Sequence, residues 1–102
     1  MEVNGRNLVR IEIITSQALE EDFAQEFAEQ GIGAKYTKLD NVKGAGCSNP
    51  HLGNAIWPQL NVMYIIYCPE DEAHKIIQLV QKLRLQYVTE GIACFVGSGM
   101  EV

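Results

Sequence analysis

The first half of the chain has two hydrophobic patterns in succession. In residues 8–14, apolar β-branched side chains alternate with charged ones, which predicts a strand. Leu19, Phe23 and Phe27 then recur every four residues, which predicts a helix that stops at the glycines following it. A mixed alternation at residues 34–42 predicts a second strand.

The second half repeats this order. Residues 60–68, L-N-V-M-Y-I-I-Y-C, form the strongest strand pattern of the chain. Pro69 fits the first position of a helix, and three acidic residues follow it where the helix dipole favours negative charge. After this second helix, residues 91–96 predict a fourth strand, and residues 97–102 are interpreted as a short tail.

This order is β-α-β, a loop, and β-α-β. Because β-α-β crossovers are right-handed almost without exception, two such units interleave into one sheet. The pattern therefore predicts an α+β, ferredoxin-like βαββαβ fold, with a four-stranded antiparallel sheet and two helices on one face. At 102 residues, the whole chain is expected to form one domain.

The predicted strands three and four are apolar on both faces. Helices cover only one face of a ferredoxin-like sheet, so the other would expose a large apolar surface to water. The residues of that second face include Met63, Ile65, Tyr67, Ala93 and Phe95. We therefore expect other copies of the chain to bury it in a closed homo-oligomer.

Charge and cysteine content narrow the function classes. The formal net charge is −5, from 8 basic and 13 acidic residues, which argues against nucleic acid as a partner. The three cysteines are odd in number and have no C-x-x-C spacing, so we expect reduced thiols. No signal-peptide pattern and no apolar run of about 18 residues is present, which favours a cytoplasmic protein without membrane insertion.

The middle of the chain has neither strand nor helix character. Residues 41–61 contain three glycines, two prolines and four asparagines, as well as Cys47 and His51. Long irregular loops in small compact domains are more often functional than not. This loop is therefore the first place to look for chemistry.

With this order of elements, the segment Val42-Lys43-Gly44-Ala45-Gly46 resembles the V-K-G-F-G-like turn of the P-II signalling superfamily. In that superfamily the turn leads from strand two into a flexible T-loop. The segment Ile92-Ala93-Cys94-Phe95-Val96 is similar to its fourth strand, which follows a B-loop. The resemblance covers roughly residues 8–97.

The resemblance implies homotrimers whose sheets face inward. It also implies a small-molecule effector, usually an adenine nucleotide, in clefts between subunits near the T-loop and B-loop. The ligand would reshape the central loop, which docks on a target protein such as a transporter or enzyme. The implied nucleotide-binding residues are Lys43, Gly44, Ala45, Gly46, Lys82, Arg84 and Gly91.

The chain departs from the family pattern at both loops. The T-loop, residues 46–59, is short and lacks the tyrosine that typical members modify. Cys47 and Ser48 stand near where typical members have a glutamine that helps hold 2-oxoglutarate. The B-loop, residues 85–91, lacks the usual run of glycines and lysines. The sequence thus indicates a divergent, short-loop member whose effector is open.

Two alternatives remain at the level of sequence. Gly44 and Gly46 are consistent with a turn that needs positive φ, or with backbone N–H groups that face an anion. Cys47 and His51 are consistent with a free thiol and a surface histidine, or with a metal-binding trimer like the CutA-like proteins, since one chain alone supplies too few ligands.

A small enzyme on the same ferredoxin-like scaffold is a third hypothesis, beside the P-II-like regulator and the metal-binding trimer. The sequence has no Ser–His–Asp, metallohydrolase or P-loop pattern. The acidic residues at the helix starts are interpreted as solvated first turns. We therefore predict a protein that is not an enzyme.

Overall fold

The structure is a computed structural model, and it describes residues 4–44 and 60–102. Its strands are β1 (Arg6–Ser16), β2 (Tyr36–Val42), β3 (Asn61–Cys68) and β4 (Ile92–Glu101). Its helices are α1 (Glu20–Gln30), preceded by a 3₁₀ turn (Gln17–Leu19), and α2 (Glu70–Gln86). The strand order across the sheet is β2-β3-β1-β4, and every neighbouring pair is antiparallel. The predicted ferredoxin-like α+β fold is confirmed.

The core lies between one face of the sheet and the two helices. Alternate residues of β1 and β3, such as Ile11, Ile13 and Tyr64, are buried against Phe23 of α1 and Ile76 of α2. The ring centroids of Phe23 and Tyr64 are 5.6 Å apart, so aromatic packing ties α1 to the sheet.

The starts and ends of α1 follow the sequence signals. Ser16 accepts a hydrogen bond from the N–H of Ala18 and so caps the 3₁₀ turn that leads into the helix. Gly31 ends α1 in the left-handed conformation, with φ of 64°. The acidic first turns are not merely solvated, because Glu20 pairs with Lys38 of β2 and Asp22 accepts a hydrogen bond from Tyr87. The interpretation of solvated acids was wrong for these two and also for Glu72 of α2, which accepts a hydrogen bond from the N–H of Gly33 at 3.2 Å.

The fourth strand is longer than the alternation predicted. The prediction of a tail after residue 96 is wrong, because β4 continues to Glu101 and pairs with β1 as far as Arg6. Gly97 and Gly99 favour strand weakly, but β1 supplies a ladder partner for each of them. Pairing between strands therefore overrides local propensity here.

The sheet face away from the helices, called the open face below, is largely apolar. Its central residues from three strands are Ile14, Met63, Ile65, Ala93 and Phe95. Phe95 is 59% exposed, and Leu39 of β2 on the same face is 46% exposed. Charge is also present there, since Arg10 donates hydrogen bonds to Glu12 and Tyr67. In the isolated chain this face has no protein cover from the residues that the structure describes.

Candidate functional site

Three of the predicted site residues, Lys43, Gly44 and Gly91, lie at one end of the sheet. The ladder places Val42 of β2 opposite Asn61 of β3, and Asn61 opposite Ser16 of β1. Ile92, the first residue of β4, pairs with Thr15 beside it. The segment after β2 and the segment before β4 therefore leave the sheet at the same end.

The β2 side of this end presents Lys43 and Gly44. Both are exposed, and they follow the last strand residue directly. Gly44 does not have a positive φ, so the interpretation of a turn that requires glycine for its backbone is wrong at this position. Among the residues that the structure describes, none has an atom within 4 Å of a Cβ atom placed at Gly44. Neither the backbone conformation nor the packing of this described part therefore accounts for a glycine at this position.

Ala45 and Gly46 lie outside the described residues. The same holds for Cys47, Ser48 and His51 and for the remainder of the short T-loop. Their predicted roles stay predictions.

The β4 side of this end is braced by hydrogen bonds from two other elements. Arg84, in the last turn of α2, donates from Nε and Nη2 to the carbonyl oxygen of Ile92, at 3.1 and 2.9 Å. The Thr15 hydroxyl of β1 donates to the carbonyl oxygen of Gly91 at 3.1 Å. These contacts hold the segment before β4 in place and bring Arg84 to Gly91.

Tyr87 fixes the other end of the same segment. Its hydroxyl donates to Asp22 of α1 at 2.6 Å, and this hydrogen bond is the main reason that the pKa of Tyr87 is raised. Exposed apolar side chains flank it, since Leu85 and Val88 are 82% and 80% exposed. Leu85 and Gln86, the first two residues of the predicted B-loop, belong to α2, so the loop itself is shorter than predicted. Tyr87 and Gly91 at its two ends are both held by hydrogen bonds.

Lys82 points elsewhere. Its Nζ lies 2.6 Å from Oε1 of Glu26 on α1. The pair lowers the pKa of Glu26, with the hydrogen bond from Lys82 as the main cause and one from Gln30 as the next. Lys82 and Arg84 are two positions apart on a helix, so their side chains face different directions. Of the two, only Arg84 contacts the residue that follows the B-loop, Ile92. A nucleotide contact by Lys82 would require it to leave Glu26.

The two sides of the candidate site are far apart within one chain. β2 and β4 are the two edge strands, and β3 and β1 lie between them. At about 4.8 Å per strand, three steps separate Lys43 from Gly91 by roughly 14 Å along the sheet end. A ligand shorter than about 14 Å that contacts both sides would therefore need β2 of one chain beside β4 of another.

The two described cysteines have raised thiol pKa values, which disfavour the reactive thiolate. Cys68 and Cys94 are free thiols. Burial raises the pKa of Cys68 to about 11, with smaller contributions from Glu72 and Asp71, and burial also raises the pKa of Cys94. Within residues 4–44 and 60–102 no group of three or more metal-ligating side chains occurs. The metal hypothesis therefore depends on the central loop.

Sequence reasoning missed one feature of the site. Asn41 has φ of 57°, and the pairing of β2 with β3 shifts between Leu39 and Val42. An asparagine next to a glycine-rich turn was a weak signal for this conformation, because asparagine is the residue besides glycine that most readily adopts it.

A protein-family model matches most of the chain. Residues 8–97 match the model of the family described as nitrogen regulatory protein P-II. The chain belongs to the P-II family. No curated protein matches the chain. The family is one of regulatory proteins, so the resemblance inferred from Val42–Gly46 and the order of elements is confirmed.

Solved structures of P-II-like proteins share the fold of this family member. CPII from Thiomonas intermedia K12, a nitrogen regulatory PII-like protein bound to ADP, AMP and bicarbonate, has a TM-score of 0.72 and 20% identity, covering 97% of each chain. A putative PII-like signaling protein from Thermus thermophilus has a TM-score of 0.65 and 18% identity, covering 98% of this chain and 94% of that one.

The apo form of the same CPII protein also matches. It has a TM-score of 0.65 and 16% identity, covering 97% of this chain and 98% of that one. Neither helix of the described part of this P-II family member is long and apolar enough to span a membrane.

Proposed function

We propose that the protein is a homotrimeric regulator of the P-II type that binds an adenine nucleotide in clefts between subunits. The observation that carries the proposal is the position of the two halves of the site. Lys43 and Gly44 follow one edge strand, while Arg84 and Gly91 adjoin the other, with two strands between them. Cyclic assembly through the edges would join the halves of different chains.

The nucleotide class is supported by the solved relatives. Structures of the Thiomonas protein are bound to ADP, AMP and bicarbonate, to ADP, AMP and acetate, or to ADP and bicarbonate. At 20% identity these ligands indicate a class of effector rather than one compound. A nucleotide suits the site because Lys43 supplies a positive charge and the exposed Leu85 and Val88 supply apolar surface beside the B-loop.

The proposal includes a trimer whose open faces are directed inward. Burial of Met63, Ile65 and Phe95 against copies of themselves would remove an apolar surface from water. The proposal also includes one P-II-like domain over residues 1–102. A cytoplasmic location is part of it as well, and the free thiols of Cys68 and Cys94 support that location. Nucleic acid is not among the expected partners, given the net charge of −5.

Signalling to a target protein would use the central loop. Residues 45–59 fall outside the described residues, so their part in the proposal rests on the family and on the position of their ends. The loop starts from Gly44, beside the proposed nucleotide, and returns to Leu60 at the start of β3. A ligand at Gly44 would shift the population of loop conformations if it favoured one of them. The target, a transporter or an enzyme, would read that conformation.

Calorimetric titration with ATP, ADP and AMP tests the proposal. Wild type should bind at least one of them. The Lys43→Ala variant should bind it about tenfold to a hundredfold more weakly, because a charge-assisted contact contributes roughly 1.5–3 kcal/mol. Lys75→Ala, which removes an exposed lysine from α2, is the matched control and should bind like wild type.

Two results would contradict the proposal. One is the failure of all three nucleotides to bind at millimolar concentration. The other is equal binding by wild type and Lys43→Ala. Binding of zinc or copper that is lost in Cys47→Ser, without nucleotide binding, would favour the metal-binding alternative.

A further inference from the structure

Near its C-terminal end, β2 contains one residue more than the stretch of β3 that pairs with it. From Tyr36↔Ile66 to Leu39↔Met63 the ladder is regular, but the next pair is Val42↔Asn61. Two residues of β2, Asp40 and Asn41, therefore lie opposite the single residue Val62. This is a β-bulge, a feature that occurs preferentially at sheet edges and beside functional sites.

After the bulge, each residue of β2 points to the opposite face of the sheet from the one that a regular strand would give it. Successive strand residues point to opposite faces, and cross-strand partners share a face. Tyr36 and Lys38 lie on the helix face, since Tyr36 packs on Phe27 and Lys38 pairs with Glu20. A regular strand would place Val42 on that face as well. Because Val42 instead pairs with Asn61, it lies on the open face. Lys43 follows the last residue of β2, so continued alternation would direct it to the helix side.

Asn41 makes this reversal sterically acceptable. Its φ of 57° lies in the left-handed region, which β-branched residues avoid and which asparagine and glycine tolerate. Among the residues that the structure describes, it is the one non-glycine with positive φ. A residue that strongly prefers extended backbone at this position would favour the regular ladder, with residue 41 opposite Asn61 and Lys43 on the open face.

We propose that Asn41 is a positioning residue of the nucleotide site, which keeps Lys43 off the open face by holding the bulge. The inference rests on the proposed function for its ligand, but the facing of Val42 and Lys43 can be measured without one. In a trimer with inward open faces, a lysine turned to the open face would point into the assembly and away from the cleft. The bulge thus determines whether Lys43 is available to an anion.

Three variants at Asn41 distinguish the effect of the direction in which Lys43 points from the effects of backbone strain and of strand length. Asn41→Gly keeps the left-handed conformation accessible, so it should keep the bulge. Asn41→Val disfavours it and should restore the regular ladder. Deletion of Asn41 removes the bulge but leaves Val42 opposite Asn61, and therefore leaves Lys43 on the helix side.

Nucleotide affinity is the first readout, measured by calorimetry on all four proteins. Asn41→Val should bind at least about tenfold more weakly than wild type, whereas Asn41→Gly and the deletion should stay within about threefold. Unchanged affinity of Asn41→Val would overturn the inference. An equal loss of affinity in Asn41→Val and in the deletion variant would also overturn it. Both variants lack the bulge, so the bulge itself, and not the face to which Lys43 points, would then determine affinity.

The second readout needs no nucleotide. An NMR cross-peak between the Val42 methyl groups and the Asn61 side chain should be present in wild type, Asn41→Gly and the deletion, and absent in Asn41→Val. If wild type binds no nucleotide, the proposed function fails while this cross-peak still tests the facing. If nucleotide binds but the cross-peak persists in Asn41→Val, the facing inference fails and the proposed function stands.

Discussion

Lys82 and Arg84 illustrate what single side chains do at the C-terminal end of α2. Lys82 is engaged with Glu26 of α1, and Arg84 is engaged with the carbonyl oxygen of Ile92. Both contacts are made by charged groups at the surface, where they act on local order more than on global stability. Of the basic residues considered for nucleotide binding, Lys82 is therefore the one with a competing acidic partner in this structure.

The Glu26–Lys82 pair makes stability depend on pH. The lowered pKa of Glu26 means that the fold favours its ionised form. The contribution to stability is thus present above the unfolded-state pKa of about 4.3 and is lost as pH falls through the lower folded-state pKa. The free energy of unfolding of wild type should exceed that of Glu26→Gln near neutral pH, and the difference should shrink in acid.

Urea unfolding at several pH values measures this difference. Glu21→Gln, which removes an exposed acid from the same helix, is the control for net charge. A difference between wild type and Glu26→Gln that stays constant from neutral pH down to strongly acidic pH would contradict the assignment of the pair.

The orientation of these two side chains could not be predicted from the sequence. Sequence placed both near the C-terminal end of a helix, where cations are favoured. Glu26, the partner of Lys82, is distant along the chain, and Ile92, the partner of Arg84, belongs to another element. Only the packing of α1 and β4 around α2 brings these partners close. The same holds for Asn41, whose conformation depends on the register between β2 and β3.

At the scale of elements, Arg84 joins α2 to the start of β4. Arg84→Ala should lower the free energy of unfolding by about 1 kcal/mol, because the hydrogen bonds to the Ile92 carbonyl are replaced by water at a partly exposed site. Amide hydrogen exchange in residues 87–91 should also become faster. Gln81→Ala, at an exposed position of the same helix, is the control. Equal exchange in the two variants would show that Arg84 does not brace the B-loop.

Helices and strands were predictable to different degrees. Alternation and four-residue spacing identified four strands and two helices, because one face of each packs against the core. The end of β4 was missed, since Gly97 and Gly99 are poor strand formers on their own and extend the sheet only by pairing with β1. The β2 bulge was missed because alternation within one strand does not report how that strand pairs.

At the scale of the whole molecule, the open face is the surface that the proposed trimer would bury. Its apolar residues Met63, Ile65 and Phe95 were recognised in the sequence because β3 and β4 are apolar on both faces. The sequence could not predict the polar group of Arg10, Glu12 and Tyr67 among them, since that group forms across β1 and β3. Assembly would bury both kinds of residue.

Substitution of Ile65 tests this assembly. Ile65→Asp places an unpaired charge on the surface to be buried, so it should convert the oligomer into monomers. The control is Gln78→Asp on the exposed side of α2, which should assemble like wild type. Light scattering gives the mass, and circular dichroism verifies that both variants fold. An Ile65→Asp protein that assembles as wild type does would contradict an inward open face.

Native mass spectrometry of wild type with ADP tests the central claim most directly, because it reports assembly and ligand in the same particle. A site formed by β2 of one chain and β4 of the next predicts nucleotide on particles of three times the 11.4 kDa chain mass, up to three per particle, and none on monomers. Lys43→Ala should give the same particle with less nucleotide. Nucleotide bound to an 11.4 kDa monomer would contradict a cleft between subunits, and so would an assembled trimer that carries no nucleotide at saturating ADP.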